Sequence, residues 1–139
     1  MSESRLDAGV VQVTELAKPY TNQVTTATHQ WLADEPEALG GKDKGPGPFE
    51  LVLAGLGACT SMTLRMYAER KAWPLEKVSV TLAHVPRGAA DGNSDKFVRQ
   101  IQIDGDLTPA QRTRLLEIAN KCPVHRTLTG TLEIESELL

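Results

Sequence analysis

Apolar and polar positions alternate from Val10 to Leu16, with Val11 and Val13 set against Gln12 and Thr14, and Asn22 to Trp31 is again rich in β-branched residues. This period predicts two strands joined around Lys18-Pro19-Tyr20. From Asp34 to Pro48 the chain turns to Gly, Pro and charge, which predicts a loop whose Asp34 to Lys44 part reads as a solvated surface segment. Gly47-Pro48 then opens an apolar stretch. One helix of about six turns is expected from Phe49 to Lys71, with Pro at the first helical position and Glu50 in the first turn, where the dipole favours an anion. Leu51 to Ala58 is apolar on every face, which predicts burial all round; only Arg65, Glu69, Arg70 and Lys71 should meet water.

Beyond the Trp73-Pro74 turn, Lys77 to His84 alternates, and Phe97 to Ile103 alternates as Phe97, Arg99, Ile101, Ile103. Two more strands follow, separated by an Ala-Asp-Gly-Asn-Ser turn. Thr108-Pro109-Ala110-Gln111 combines an N-cap, a helix-opening Pro and a capping-box Gln, so a second helix runs to about Lys121 and stops at Pro123. Leu115, Ile118, Ala119 and Cys122 share one face, which points Cys122 inward. A last strand is expected from Thr131 to Glu135. The element order is that of an α+β fold with mostly antiparallel sheet.

Composition narrows the class. The 139 residues carry 15 basic and 18 acidic side chains, a formal charge of −3, so nothing favours a nucleic-acid backbone or an anionic membrane as partner. A single domain over residues 1–139 is expected, large enough to bury roughly two-thirds of its unfolded surface. No basic region leads into an apolar stretch at the N-terminus, which makes the cytoplasm the expected compartment. In that reducing setting Cys59 and Cys122, the two thiols of the chain, read as chemical or buried residues and not as a permanent bridge.

Cys59 lies mid-helix beside Gly55, Gly57 and Ala58, a strip flat enough for a second helix to lie close. Its bland reading is a small core residue; a reactive reading needs a cation from elsewhere, because the helix N-terminus is too distant. Cys122 stands in Lys121-Cys-Pro-Val-His-Arg126, which places a thiol, an imidazole and two cations together; here too the bland reading is a buried residue at a helix end. A zinc site from Cys59, Cys122, His125 and a further His lacks the paired close-set ligands of strong zinc signatures. His29 and His84, taken alone, read as surface or edge residues. Gly55-Leu-Gly57 lies within a helix and cannot be a dinucleotide-binding turn.

The run Phe49-Glu50-Leu-Val-Leu-Ala-Gly-Leu-Gly-Ala-Cys59-Thr-Ser-Met-Thr-Leu, the following Met66-Tyr-Ala-Glu-Arg-Lys-Ala-Trp73-Pro-Leu-Glu, and Lys121-Cys-Pro-Val-His-Arg-Thr-Leu128 together resemble the OsmC/Ohr family of osmotically induced and organic hydroperoxide resistance proteins, its OsmC-like branch in particular. The resemblance implies an intertwined homodimer with a long buried central helix. It also implies a thiol peroxidase of oxidative-stress defence, without metal, haem or flavin. On that analogy Cys59 is the peroxidatic thiolate and Cys122 the thiol that condenses with its sulfenic acid, and a lipoyl-type dithiol reduces the resulting disulfide. Glu50 matches the family's acidic residue, which holds a catalytic Arg. Between Arg5 and Arg65 this chain has no Arg; Lys18 and His29 stand nearest the expected place, and Arg126 or a cation of the other chain is a further candidate. Imidazole is the more pH-sensitive stabiliser of a thiolate.

Glu50 and Cys59 are nine residues apart, about 900° of rotation and roughly 13.5 Å of rise, so one helix turns them to opposite sides. Either Glu50 serves a partner subunit's Cys59, giving two interfacial sites per dimer, or the helix begins later than Phe49. Leu56, Met62, Met66 and His125 are expected around the substrate, favouring organic hydroperoxides over hydrogen peroxide. The alternative is a redox-sensing or small-ligand-binding protein of the same fold.

Overall fold

The computed structural model describes residues 5–89 and 92–139 and divides into two compact units, Met1–Val52 and Leu53–Leu139. Ala90 and Asp91 of the predicted turn, like residues 1–4, lie outside the described residues.

In the first unit β1 (Gln12–Ala17), β2 (Thr21–Thr25) and β3 (Gln30–Ala33) form an antiparallel sheet in that order, with Val13 opposite Val24 and Val24 opposite Trp31. The single strand expected from Asn22 to Trp31 is therefore two. The break is made by side-chain chemistry: Thr26 N–H donates to His29 O at 2.8 Å, while Thr26 Oγ1 accepts from the N–H groups of Thr28 and His29. With no Gly or Pro in the turn, composition alone does not mark it.

The loop that follows is tied down rather than solvated throughout. Asp34 is buried, and its carboxylate accepts from Thr21 Oγ1 at 2.8 Å and from the N–H groups of Glu35 and Lys44. Burial alone would raise the Asp34 pKa, but these hydrogen bonds favour the charged form more and leave it below its ordinary value. Gly45 is required here, since a Cβ would sit 1.9 Å from Leu32 O.

Helix α1 (Pro48–Lys71) begins as expected, with the Gly47 N–H donating to Glu50 Oε1 at 2.9 Å. Its burial is one-sided. Leu56, Gly57, Thr60, Leu64 and Ala68 are buried, whereas Gly55, Ala58, Met62 and Met66 are exposed, so burial all round is not met within the chain. The 24-residue helix is long and apolar enough to cross a membrane by composition, but Leu64 and Ala68 pack into the core of the second unit, the behaviour of a core helix.

In that unit β4 (Leu75–Val85) and β5 (Lys96–Gly105) form an antiparallel pair with Val80 opposite Ile101. α2 (Pro109–Ala119) carries the capping box predicted from Thr108 and Gln111, and contributes Leu115, Ile118 and Ala119 to the core with Leu64, Ala68 and Leu75. Trp73 packs edge-on against Tyr67 beside this core, a structural role. Gly57 lets α1 approach β4, since a Cβ there would meet Leu82 Cδ1 at 2.8 Å; Gly55 has nothing within 4 Å. The expected close strip is thus split between two directions. α2 ends two residues before Lys121, and Pro123 opens a third helix, α3 (Pro123–Thr129), which the sequence reading did not contain.

The strand expected from Thr131 to Glu135 is absent. The alternation of Leu132 and Ile134 with Thr131 and Glu133 suits a strand, and both apolar residues are exposed. A strand exists only through a neighbour's backbone groups, and among the described residues no strand pairs with this segment.

Candidate functional site

The site is built in the second unit where α1, β5 and the α2–α3 junction meet. Pro123 has no N–H to donate and supplies the first position of α3, so the chain turns at Cys122, whose backbone is extended. Cys122 then serves as N-cap: its Sγ accepts from the His125 N–H at 3.3 Å, and its own N–H donates to Ala119 O. The side chain is fully buried, as expected, although from the cap of α3 and not from the face of α2 that the spacing assumed.

Across from it lies Thr60, also fully buried, the residue after Cys59 on α1. Its hydroxyl donates to Leu56 O at 2.7 Å, accepts from Arg99 Nη1 at 2.9 Å and stands 4.0 Å from Cys122 Sγ. The buried thiol is therefore seated against the helical turn that carries Cys59. Cys59 itself is half-buried, with Thr63 Oγ1 4.0 Å from its sulfur.

Arg99 projects from β5 in register with Phe97, Ile101 and Ile103, the half-buried face of the strand. Besides Thr60 it donates to Ala119 O at 3.3 Å and Asn120 Oδ1 at 3.0 Å, so its fork spans α1 and the end of α2. Among the described residues no carboxylate lies within ion-pair distance of it. Burial first, and the Arg99 charge second, hold the His125 imidazole below its ordinary 6.5, which favours the neutral ring at neutral pH. Arg99, Thr60 and Asn120 did not emerge from the sequence reading. The available signal was a cation in phase with three apolar residues on one strand face.

A cavity of about 450 Å³ opens beside this cluster, with apolar walls from Leu56, Phe97 and Leu116 and polar ones from Arg99 and His125. Of the residues expected around a substrate, Leu56 and His125 line it. Met62 and Met66 do not; they stand 64% and 62% exposed on α1. Cys59 is not part of the lining either.

His29 and Glu50 belong to the first unit. His29 is exposed in the β2–β3 turn with Thr28 Oγ1 3.0 Å from its Nδ1, and Glu50 caps α1. Because α1 starts at Pro48, a later helix start does not resolve the Glu50 geometry. His84 contacts Asp95 at 2.9 Å and stacks edge-on with Phe97. Asp95, held also by Arg87, has its pKa drawn down to about 2. Among the described residues no three His, Cys, Asp or Glu side chains gather in a way that would hold a metal ion. The chemistry on offer is that of two thiols, one sealed and one reachable, with a guanidinium between their supporting elements.

The family of OsmC-like proteins matches residues 41–137. A protein named hydroperoxide reductase from Mycoplasma pneumoniae is 27% identical over 99 residues, covering 66% of this chain and 68% of that protein. An OsmC-like protein of Mycoplasma pneumoniae superposes with a TM-score of 0.72 at 20% identity, over 93% of this chain and 90% of that one. The organic hydroperoxide resistance protein OsmC from Legionella pneumophila does so with a TM-score of 0.65 at 20% identity, over 94% and 95%. At these identities the structural likeness speaks for the fold.

Proposed function

This chain belongs to the OsmC-like protein family, and we propose that it is a thiol-dependent peroxidase that reduces organic hydroperoxides, and hydrogen peroxide less well. The observation that carries this reading is the placement of Cys122 Sγ 4.0 Å from the hydroxyl of Thr60, the residue next to Cys59. The name of the Mycoplasma pneumoniae relative supports it.

In the proposed cycle the Cys59 thiolate attacks the terminal oxygen of the hydroperoxide. The O–O bond breaks, Cys59 becomes a sulfenic acid, and the alkoxide leaves as alcohol with the proton released when the thiol ionised. The Cys122 sulfur then attacks the Cys59 sulfur; the S–S bond forms as the S–O bond breaks, and hydroxide takes up the Cys122 proton to leave as water. An external dithiol, lipoyl-type by resemblance, returns both thiols and is itself oxidised to a disulfide. The cavity between Leu56 and His125 suits an apolar substituent.

The protein acts as a cytoplasmic homodimer in this reading, with Glu50 of the partner subunit and His29 completing the surroundings of Cys59 in place of the family's Arg. Exposed Val13, Met62, Met66 and Ile134, together with a C-terminal segment of strand-like alternation that no strand pairs among the described residues, support a second copy as the neighbour.

The reduced protein is mixed with cumene hydroperoxide or with hydrogen peroxide, and the products are scored by mass spectrometry. Fast disulfide formation, faster with cumene hydroperoxide, is expected. Cys59→Ser should abolish turnover, and Cys122→Ser should accumulate over-oxidised Cys59. Both thiols remaining reduced in wild type would remove the peroxidase reading and leave a ligand-binding or redox-sensing protein.

A further inference from the structure

We infer that Arg99 is a positioning residue for the second thiol step: it clamps the helix that carries Cys59 to the helix end that presents Cys122, and so sets the rate at which the two sulfurs join. The inference rests on the proposed thiol cycle and concerns its condensation step.

The clamp follows from how the donors are distributed. One nitrogen, Nη1, reaches both Thr60 Oγ1 on α1 and Ala119 O on α2, and the other, Nη2, holds Asn120 Oδ1. Ala119 O is also the acceptor of the Cys122 N–H, so Arg99 and Cys122 are bound to the same carbonyl. On the other side, the only hydroxyl proton of Thr60 is committed to Leu56 O at 2.7 Å, which leaves the oxygen free to accept from Arg99 and to face Cys122 Sγ. A guanidinium is suited to this because its fork is planar and fixed, whereas an ammonium would satisfy the same acceptors only as a point charge on a flexible stem.

The functional weight comes from what Cys122 must do. It is a helix cap, fully buried, and held by the His125 N–H. Condensation with Cys59 requires its sulfur to leave that cap and travel to a neighbouring sulfur, with the Cα atoms brought within about 7 Å for a disulfide. Such a step depends on how tightly its two supporting elements are registered, and misplacement by about 1 Å can cost on the order of 100-fold in rate. Arg114 also joins the two helices, donating to Tyr67 on α1 and to Glu117 on α2, but the donors of Arg99 reach the turn next to Cys59 and the carbonyl that holds the Cys122 N–H.

The test measures the unimolecular rate constant of disulfide formation after rapid oxidation, by acid quench and mass spectrometry, in wild type, Arg99→Met, Arg99→Lys, Thr60→Val and the Arg99→Met/Thr60→Val pair. Arg99→Met is expected to slow this step by about tenfold or more, with Cys59 sulfenic acid accumulating and trapped by dimedone. Thr60→Val should slow it too, and the double variant should be no slower than Arg99→Met, because the hydrogen bond that Thr60→Val removes is one of the three already lost in Arg99→Met. Arg99→Lys should recover part of the rate. An Arg99→Met rate within about twofold of wild type, or independent multiplication of the two single effects, would overturn the clamp. If Arg99→Met does not fold, the nearly isosteric Thr60→Val decides alone on the same criterion. The rates are also read with diamide, which joins neighbouring thiols while being reduced to its hydrazine. Wild type that closes the disulfide with diamide but not with peroxide fails the peroxidase reading alone; equal diamide rates in all variants fail the clamp.

Discussion

Cys122 caps α3 and, in the proposed cycle, supplies the second sulfur, and substitution can divide the two. Its sulfur caps α3 by accepting the His125 N–H and fills a fully buried position next to Thr60. Cys122→Ser keeps an acceptor in place, and Ser is among the strongest N-cap residues. Cys122→Ala removes the acceptor, which costs about 1 kcal/mol for a lost cap, and empties the space of one sulfur atom in a packed site, on the order of a further 1 kcal/mol. The serine variant loses the sulfur too, so the cap is what separates the two, and at a few degrees per kcal/mol for a chain of this size the alanine variant should melt roughly 3 °C below the serine variant. Thermal and urea unfolding of the reduced proteins measures this. Both variants lack the sulfur that the proposed cycle joins to Cys59, so neither should form that disulfide with peroxide. Equal stability of the two would refute the capping role, and with it the claim that Cys122 must give up a helix cap in order to react.

His125 should titrate below 6.5 by NMR, and Arg99→Met should move its pKa upward by removing a neighbouring positive charge. Since the folded value lies below the unfolded one, the stability linked to this ring is complete above about pH 6.5 and falls as pH drops towards the folded pKa; an unshifted His125 in the variant would contradict the assignment. Gly55 has open space around it within the chain, so Gly55→Leu should leave each copy folded by circular dichroism. On the proposed dimer, sedimentation should show weakened association, and unaltered association would move the proposed interface away from this face of α1.

Much of the architecture was legible because it is encoded locally. The apolar run opened by Pro48 and the Thr108 capping box set α1 and α2, and the alternation around Val80 and Ile101 set β4 and β5. The burial of Cys122 was expected as well, but from a helix face that ends at Ala119; the turn at Pro123 is what puts the thiol inside. The thiol motifs and their surroundings carried the family. These depend on side-chain period, caps and short motifs, all of which act within a few residues.

What the tertiary structure decided depends on partners far away in the chain. Arg99 appears in sequence as one polar position on a strand, and its meaning comes from Thr60 and Ala119, which lie far from it in the chain. The turn at Thr26–His29 depends on hydroxyl hydrogen bonds where a turn-forming Gly or Pro would have been visible. Leu132 and Ile134 have strand periodicity without a strand, because alternation specifies which face a residue would occupy and only a neighbouring backbone can supply the ladder. Sequence periodicity states what each segment can bury; which groups meet across the fold is settled when chain entropy is spent to bring distant segments together.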